Sequence, residues 1–216
     1  VIPNGVDLDL FHPAQTAEEA IAPSSQPVSS ISRFKLEAST LRLLTVGRLS
    51  ATKRLPLLIE TVSLLRSRGC NVHLTVAGGG ALESPLRQSL SGQDLRKAVT
   101  LMGRCEAAEM PQLYRQHDVY VSATMQEGMS NAMLEAMASG LPIVTTRCEG
   151  VEELIGDNGE VVENAEPADL ARAIEGFAAD PGRRRAMSAA ARRRAEQFSW
   201  AAVADRYLAL YRQIRK

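Results

Sequence analysis

The sequence predicts an α/β domain built on a doubly wound, mainly parallel sheet with helices on both faces. Three observations carry this expectation. Strand-length apolar runs alternate with segments whose apolar residues recur at helical spacing. The runs are largely apolar throughout rather than at every second residue, as strands covered on both faces must be. Most of the glycines and several isolated charges fall in the segments just after those runs, where a sheet of this class places its ligand.

Taken in order, residues 14–33 are rich in Ala, Ser, Pro and Gln, show no apolar period, and predict a flexible loop. Leu41–Val46 reads as the first buried strand, with Gly47 behind it. Leu55, Leu58, Ile59, Val62 and Leu65 share one face of a helix over Leu55–Ser67. Val72–Ala77 is the second strand, closed by Gly78-Gly79-Gly80, and a short helix starts near Leu82. Residues 99–102 form a third strand, 110–116 a helix, and Val119–Ser122 a fourth strand. A helix over 131–139 is stopped by Gly140 and Pro142. Ile143–Thr146 is the fifth strand, followed by a short helix at 151–155 and a sixth, short strand at 160–162. Beyond Pro167 three helices follow in succession, at 170–179, 183–197 and 200–215, so that 167–216 is a helical tail. There is no internal repeat, and 1–216 reads as a single domain.

Composition narrows the function classes. The 216 residues are 45% apolar and 23% charged, which is ordinary for a domain with a packed core. Lys+Arg and Asp+Glu number 25 each, so no global field draws in nucleic acid, and none is expected as a partner. Cys70, Cys105 and Cys148 are scattered and form no C-x-x-C pair, which argues against a disulfide framework or a zinc site and for a reducing cytosol. No stretch of about 18 apolar residues is present to span a bilayer. The opening Val1-Ile2-Pro3-Asn4-Gly5-Val6-Asp7 is no signal peptide, and without an initiating Met it leads us to expect part of a longer protein. The runs Arg183-Arg184-Arg185 and Arg192-Arg193-Arg194 make one helix basic. That helix is either a solvated face or a contact for an anionic membrane surface, and its apolar stripe of Met187, Ala190, Ala191 and Phe198 is weak.

Ligands of such a sheet sit beyond the carboxyl ends of its strands, which selects residues 47–54, 78–81, 103–106, 123–131 and 146–153. Gly47-Arg48-Leu49-Ser50-Ala51-Thr52-Lys53 follows the first strand. Glycine lets the backbone approach a ligand, Arg offers a planar fork and Lys a point charge, a set suited to a diphosphate. The same spacing also fits a solvated basic turn. Glu127-Gly128-Met129-Ser130-Asn131-Ala132-Met133-Leu134-Glu135 is the sharpest segment: two glutamates flank a strand-to-helix turn. Ser130 or Asn131 suits the N-cap, and the N–H groups of Gly128, Met129, Ser130 and Asn131 with the positive helix end make an anion site. Glu135 lies about one turn inside the helix, on a different side from Glu127, and a carboxylate accepting two hydrogen bonds suits a ribose diol. The alternative is a capping acid followed by a buried, satisfied Glu.

Other residues point to structural roles. His12, His73 and His117 lie in separate elements without metal-ligand spacing. Asp7 and Asp9 imitate an Asp-x-Asp metal pair, and Ser122 and Ser130 have no evident base. No Gly-x-Gly-x-x-Gly follows the first strand, and Gly78-Gly79-Gly80 is a poor substitute, which argues against a nicotinamide dinucleotide.

In combination these segments resemble the C-terminal domain of family-4 retaining glycosyltransferases of the GT-B fold. The opening Val1 to Asp7 with Phe11-His12-Pro13, the Gly47-Arg48-Leu49 turn with Lys53, the Glu127 to Glu135 signature continued by Ala136-Met137-Ala138-Ser139-Gly140-Leu141-Pro142, and Phe198-Ser199-Trp200 all look like that family. The resemblance implies a Rossmann-like half of a GT-B fold that binds a UDP- or GDP-sugar. By it, Arg48, Lys53 and Gly47 hold the diphosphate, Glu135 the ribose, and Glu127 the transferred sugar, with Glu127 as the catalytic residue. The main chain at Gly128, Met129, Ser130 and Asn131 would meet sugar or phosphate, and Gly103 and Arg104 the nucleobase. It further implies transfer with retention to an acceptor hydroxyl in polysaccharide, lipopolysaccharide or glycolipid synthesis, with no metal or other cofactor required.

The same resemblance implies a cytoplasmic protein, peripheral at the inner face of the membrane where its acceptor is lipid-linked. An N-terminal acceptor-binding domain, absent from this chain, would face it across a cleft, and the isolated chain would bind nucleotide but transfer poorly or not at all. Three positions depart from the pattern: Gly79 stands where an acidic residue is usual, Arg54 where Gly usually follows Lys53, and Glu149-Gly150 where Gly-Gly is usual. The rival reading is a non-catalytic sugar-nucleotide-binding or regulatory partner module.

Overall fold

The computed structural model describes residues 3–15, 36–37, 39–90, 93–126 and 128–215. From residue 16 on, the loop expected over 14–33 lies outside them, as do Val1, Ile2 and Glu127. The strands are β1 (Leu41–Val46), β2 (Val72–Ala77), β3 (Val99–Gly103), β4 (Val119–Ser122), β5 (Ile143–Thr146) and β6 (Gly159–Val162). They form one sheet in the order β3-β2-β1-β4-β5-β6, and every neighbouring pair is parallel.

The helices are α1 (Leu55–Ser67), α2 (Glu83–Ser89), α3 (Gln93–Ala98), α4 (Met110–Arg115), α5 (Asn131–Ala138), α6 (Val151–Leu154), α7 (Pro167–Ala179), α8 (Pro181–Glu196) and α9 (Trp200–Ile214). Short 3-10 turns occupy Ala51–Lys53 and Ala107–Glu109. The short helix expected near Leu82 is two helices, α2 and α3. Each is seven residues or fewer, too short for an apolar period to separate them in sequence.

The strands are apolar on both faces because alternate residues feed two different cores. Leu43, Leu74, Val121 and Val144 pack with Leu58, Val62 and Leu65 of α1 and with Leu170, Ile174 and Phe177 of α7. Their neighbours Leu44, Tyr120 and Ile143 point the other way, into a core made with Tyr114 of α4, Met133, Leu134 and Met137 of α5, and Ala191 and Ala195 of α8. Leu43 and Leu44 are both fully buried, one in each core, and truncating either to Ala removes about 2–5 kcal/mol. This two-sided demand is what makes the runs readable as parallel strands.

The ends of the described chain are tied together. Val6 donates its N–H to the Phe198 carbonyl (2.8 Å), and Trp200 donates back to the Val6 carbonyl (3.3 Å). Gly5 lies directly against the Trp200 ring, where a Cβ would sit 2.4 Å from a ring carbon. Past Val203, α9 leaves the body of the domain: Tyr207, Leu208, Leu210, Tyr211 and Ile214 are all exposed.

The basic helix α8 keeps a solvated side, and four of its six arginines are bonded to the chain itself. Arg192 donates to the carbonyls of Phe11 (2.7 Å), Ala138 (2.8 Å) and Leu8 (3.2 Å). Arg194 donates to the Leu154 and Glu153 carbonyls, Arg184 to the Phe177 carbonyl, and Arg183 pairs with Glu160 beneath the Phe177 ring. Arg193 and Arg185 stay at the surface. The helix packs its arginines on chain ends that have leftover carbonyls, and sequence spacing carries no sign of where those ends lie.

Candidate functional site

The strand order reverses direction at β1. From β1 the chain winds outward to β2 and β3, then crosses back to β4 on the other side. The carboxyl ends of β1 and β4 therefore splay apart and open a crevice, the usual ligand position in such sheets. A small cleft there is lined by Val46, Gly47, Arg48, Leu49, Lys53 and Ser122.

The loops beyond β1, β2 and β3 are stitched to one another through main-chain bonds. Gly47 donates to the Ala77 carbonyl (3.0 Å), Leu49 to Gly79 (3.0 Å), Leu82 back to Leu49 (3.1 Å), and Gly78 to Gly103 (2.7 Å). This close approach explains Gly78, where a Cβ would fall 1.9 Å from the Gly47 carbonyl oxygen. The glycine run after β2 thus serves the platform that carries Arg48. It also sets the expected nucleobase loop, Gly103 with the exposed Arg104, beside the β2 loop.

Arg48 projects from this platform. It is exposed, and among the described residues none hydrogen-bonds to or pairs with its guanidinium. Lys53 ends the 3-10 turn, and its Cε lies 3.4 Å from where a Cβ on Gly47 would be. The structure therefore brings Gly47, Arg48 and Lys53 together at the crevice. Arg54, noted in sequence only as a departure, turns out to tie three loops together. Its backbone is left-handed (φ 45°), the single non-glycine in that region among the described residues. Its guanidinium donates to the Ala123 carbonyl (2.6 Å) beyond β4 and to the Thr146 hydroxyl (2.9 Å) at the end of β5.

Glu127 lies outside the described residues. Of the two candidate N-caps of α5, Ser130 fills the role: its backbone is extended and its Oγ accepts from Met133 N–H (3.4 Å). Asn131 is the first helical residue instead, and its side-chain oxygen accepts from Asn4 Nδ2 (2.9 Å). Asn4 Nδ2 also reaches the Met129 carbonyl (3.2 Å), so the opening segment holds the turn of Gly128, Met129, Ser130 and Asn131 in place. Asn4 stands 125 and 127 positions from these partners, and no local spacing in the opening segment marks this contact.

Glu135 is half-buried on α5. Its Oε2 accepts from the hydroxyl of Tyr114 on α4 (2.9 Å). Burial raises the Glu135 carboxyl above its ordinary value, and the Tyr114 hydrogen bond pulls partly the other way. The residues expected to be structural have structural partners: His117 meets the Leu113 carbonyl and the Thr75 hydroxyl, His73 the Lys97 carbonyl and the Thr100 hydroxyl. Burial pushes the His117 imidazole down to about 4. Asp7 caps its own turn by accepting from Asp9 and Leu10 N–H.

Residues 40–180 match the protein family described as Glycosyl transferases group 1. The D-inositol 3-phosphate glycosyltransferase of Arthrobacter sp. (strain FB24) is 32% identical over 206 residues, 93% of this chain and 46% of that protein. Among solved structures, sucrose-phosphate synthase from Thermosynechococcus elongatus superposes with a TM-score of 0.78 at 26% identity, over 99% of this chain and 52% of that one. Anabaena Alr3699/HepE, solved in complex with UDP, gives 0.81 at 22% identity, over 99% and 57%, a likeness of fold. The chain thus spans about half the length of the relatives it matches.

Proposed function

The chain belongs to the group 1 glycosyl transferases, and from that premise we propose that it is the donor half of a GT-B enzyme, binding a nucleoside-diphosphate sugar in the crevice between β1 and β4. The observation that carries the reading is that Arg48 and Lys53 line one cleft with Gly47, where the strand order reverses. As the glycosyl group leaves, negative charge accumulates on the diphosphate. Arg48 and Lys53 are placed to neutralise it, and the N-terminal end of α5, at Gly128 to Asn131, adds main-chain N–H groups. In this reading Glu135 takes the ribose hydroxyls, the Gly103–Arg104 loop meets the nucleobase, and Glu127 contacts the transferred sugar as the catalytic residue. No metal or other cofactor enters the scheme.

The donor in this reading is a UDP- or GDP-sugar, and transfer proceeds with retention to an acceptor hydroxyl in polysaccharide, lipopolysaccharide or glycolipid synthesis. The acceptor binds a second, N-terminal domain across the cleft, and this chain alone binds nucleotide without robust transfer. The apolar residues that α9 exposes beyond Val203 fit burial against such a domain. Among the described residues no helix is long and apolar enough to cross a membrane. The reading places the protein in the cytoplasm, peripheral at the inner membrane face when the acceptor is lipid-linked. A non-catalytic sugar-nucleotide module is the competing class, and the presence of Arg48, Lys53 and Glu135 disfavours it.

Calorimetric titration with UDP, GDP and ADP and their common sugars tests the donor site. Tight binding of one diphosphate that weakens in Arg48→Ala supports the reading; no binding to any of them by the full-length protein defeats it. Glu127→Ala in that full-length protein then separates the classes, since a folded variant that keeps binding and loses transfer is an enzyme's signature.

A further inference from the structure

We propose that Tyr114 is a positioning residue for the ribose subsite, its hydroxyl holding the Glu135 carboxylate ready for the sugar diol. The inference rests on the donor-site reading above and adds to it a residue on a different element, 21 positions away in sequence.

The Tyr114 ring is fully buried, edge-on to Phe11 (ring centroids 5.7 Å apart) and near Tyr120 (6.5 Å). In that apolar cluster a phenylalanine would pack as well, and a hydroxyl placed there is unfavourable unless it is hydrogen-bonded. Two acceptors lie in reach, both on α5: Glu135 Oε2 at 2.9 Å and the Ala132 carbonyl at 3.2 Å. A hydroxyl carries one proton, and the shorter, charged acceptor takes it.

The consequence falls on Glu135. Its side chain has three rotatable bonds, and ordering a flexible side chain at the moment of binding weakens affinity. The Tyr114 bond orders it beforehand and commits Oε2 alone. Among the described residues none donates to Oε1. The carboxylate is thereby left fixed, half-buried and with spare acceptor capacity, which is what a vicinal diol needs. Tyr114 is also the one group among the described residues that offsets the effect of burial on the Glu135 carboxyl.

The test compares nucleotides with and without their ribose hydroxyls. Binding of UDP and of GDP, each beside its 2′,3′-dideoxy counterpart, is titrated against wild type, Tyr114→Phe, Glu135→Gln and the double variant. The expected result is that Tyr114→Phe weakens the preferred diphosphate about five- to tenfold, the scale of the net contribution of one hydrogen bond. It leaves the dideoxy form within about twofold and adds nothing to Glu135→Gln in the double variant. Equal weakening of both forms means that Tyr114 supports the packing alone and overturns the proposal, as does an unchanged affinity for the ribose form. Failure of the donor-site reading looks different: wild type then binds none of the four nucleotides.

Discussion

The arginines of α8 and the arginine of the β1–α1 loop are chemically alike and differ in what surrounds them. Four of the six in α8 are spent on the chain itself, chiefly on carbonyl oxygens at the ends of other segments. Arg48 stands on a platform whose carbonyls are already bonded to other loops, so no acceptor among the described residues claims it. A cation becomes available to a ligand when the backbone around it has settled its own hydrogen bonds. The number of arginines in a row says nothing about this.

The sharpest way to break the comparison is to spoil the platform. Gly78→Ala drives a Cβ into the Gly47 carbonyl, and a loss of about 3 kcal/mol or more is expected in chemical denaturation, with nucleotide binding abolished. Unchanged stability would mean that the loops are not stitched as described. Arg192→Ala should cost about 2–3 kcal/mol, because three carbonyls lose their donor, while the affinity of the folded protein for nucleoside diphosphate stays the same. Arg48→Ala should do the reverse: affinity falls about tenfold or more and the melting temperature holds. If both variants lost stability and affinity together, the two regions would not differ in kind. At the small end, Arg193→Ala should stay within about 0.5 kcal/mol of wild type, since its carboxylate partner Asp157 is 3.8 Å away and both are exposed.

Glu135, the ribose ligand of the proposed function, extends the comparison to an acidic group. Its carboxyl is raised in the folded state, so folding favours the protonated form there, and this contribution is lost as pH rises through the window just above the ordinary value of 4.5. Glu135→Gln should therefore melt higher than wild type at neutral pH, with the gain vanishing on acidification, while it binds nucleotide more weakly. A uniform change in melting temperature at all pH values would show that the gain has nothing to do with the charge. His117 acts in the opposite sense: held near 4, it stays neutral in the fold and draws stability down as pH falls from about 6.5.

Most of the fold was legible because two-sided burial writes itself into each strand. Leu43 and Leu44 serve different cores, yet both must be apolar. The positions of Gly47, Arg48, Lys53 and Glu135 were legible from their place after strands and at a helix start. Arg54 and Tyr114 were not, since each acts on a residue far along the chain, with no local period to mark it. The partners of the α8 arginines were illegible for the same reason: the carbonyls that hold Arg192 lie 54 and more positions away.

The strand order has a kinetic consequence. β1, β2 and β3 join through neighbouring crossovers, whereas β4 must reach back past β2 and β3 to pair with β1. Long closures form late, because chain entropy is given up before any contact repays it. The junction that makes the crevice is accordingly among the last parts to assemble, and under the proposed function a nucleotide has nothing to grip until then. A bound nucleoside diphosphate should slow unfolding and leave the refolding rate unchanged, and faster refolding in its presence would put the β1–β4 junction in the folding nucleus instead. On this order of assembly, the β1–β4 junction is also where unfolding of the sheet is expected to begin.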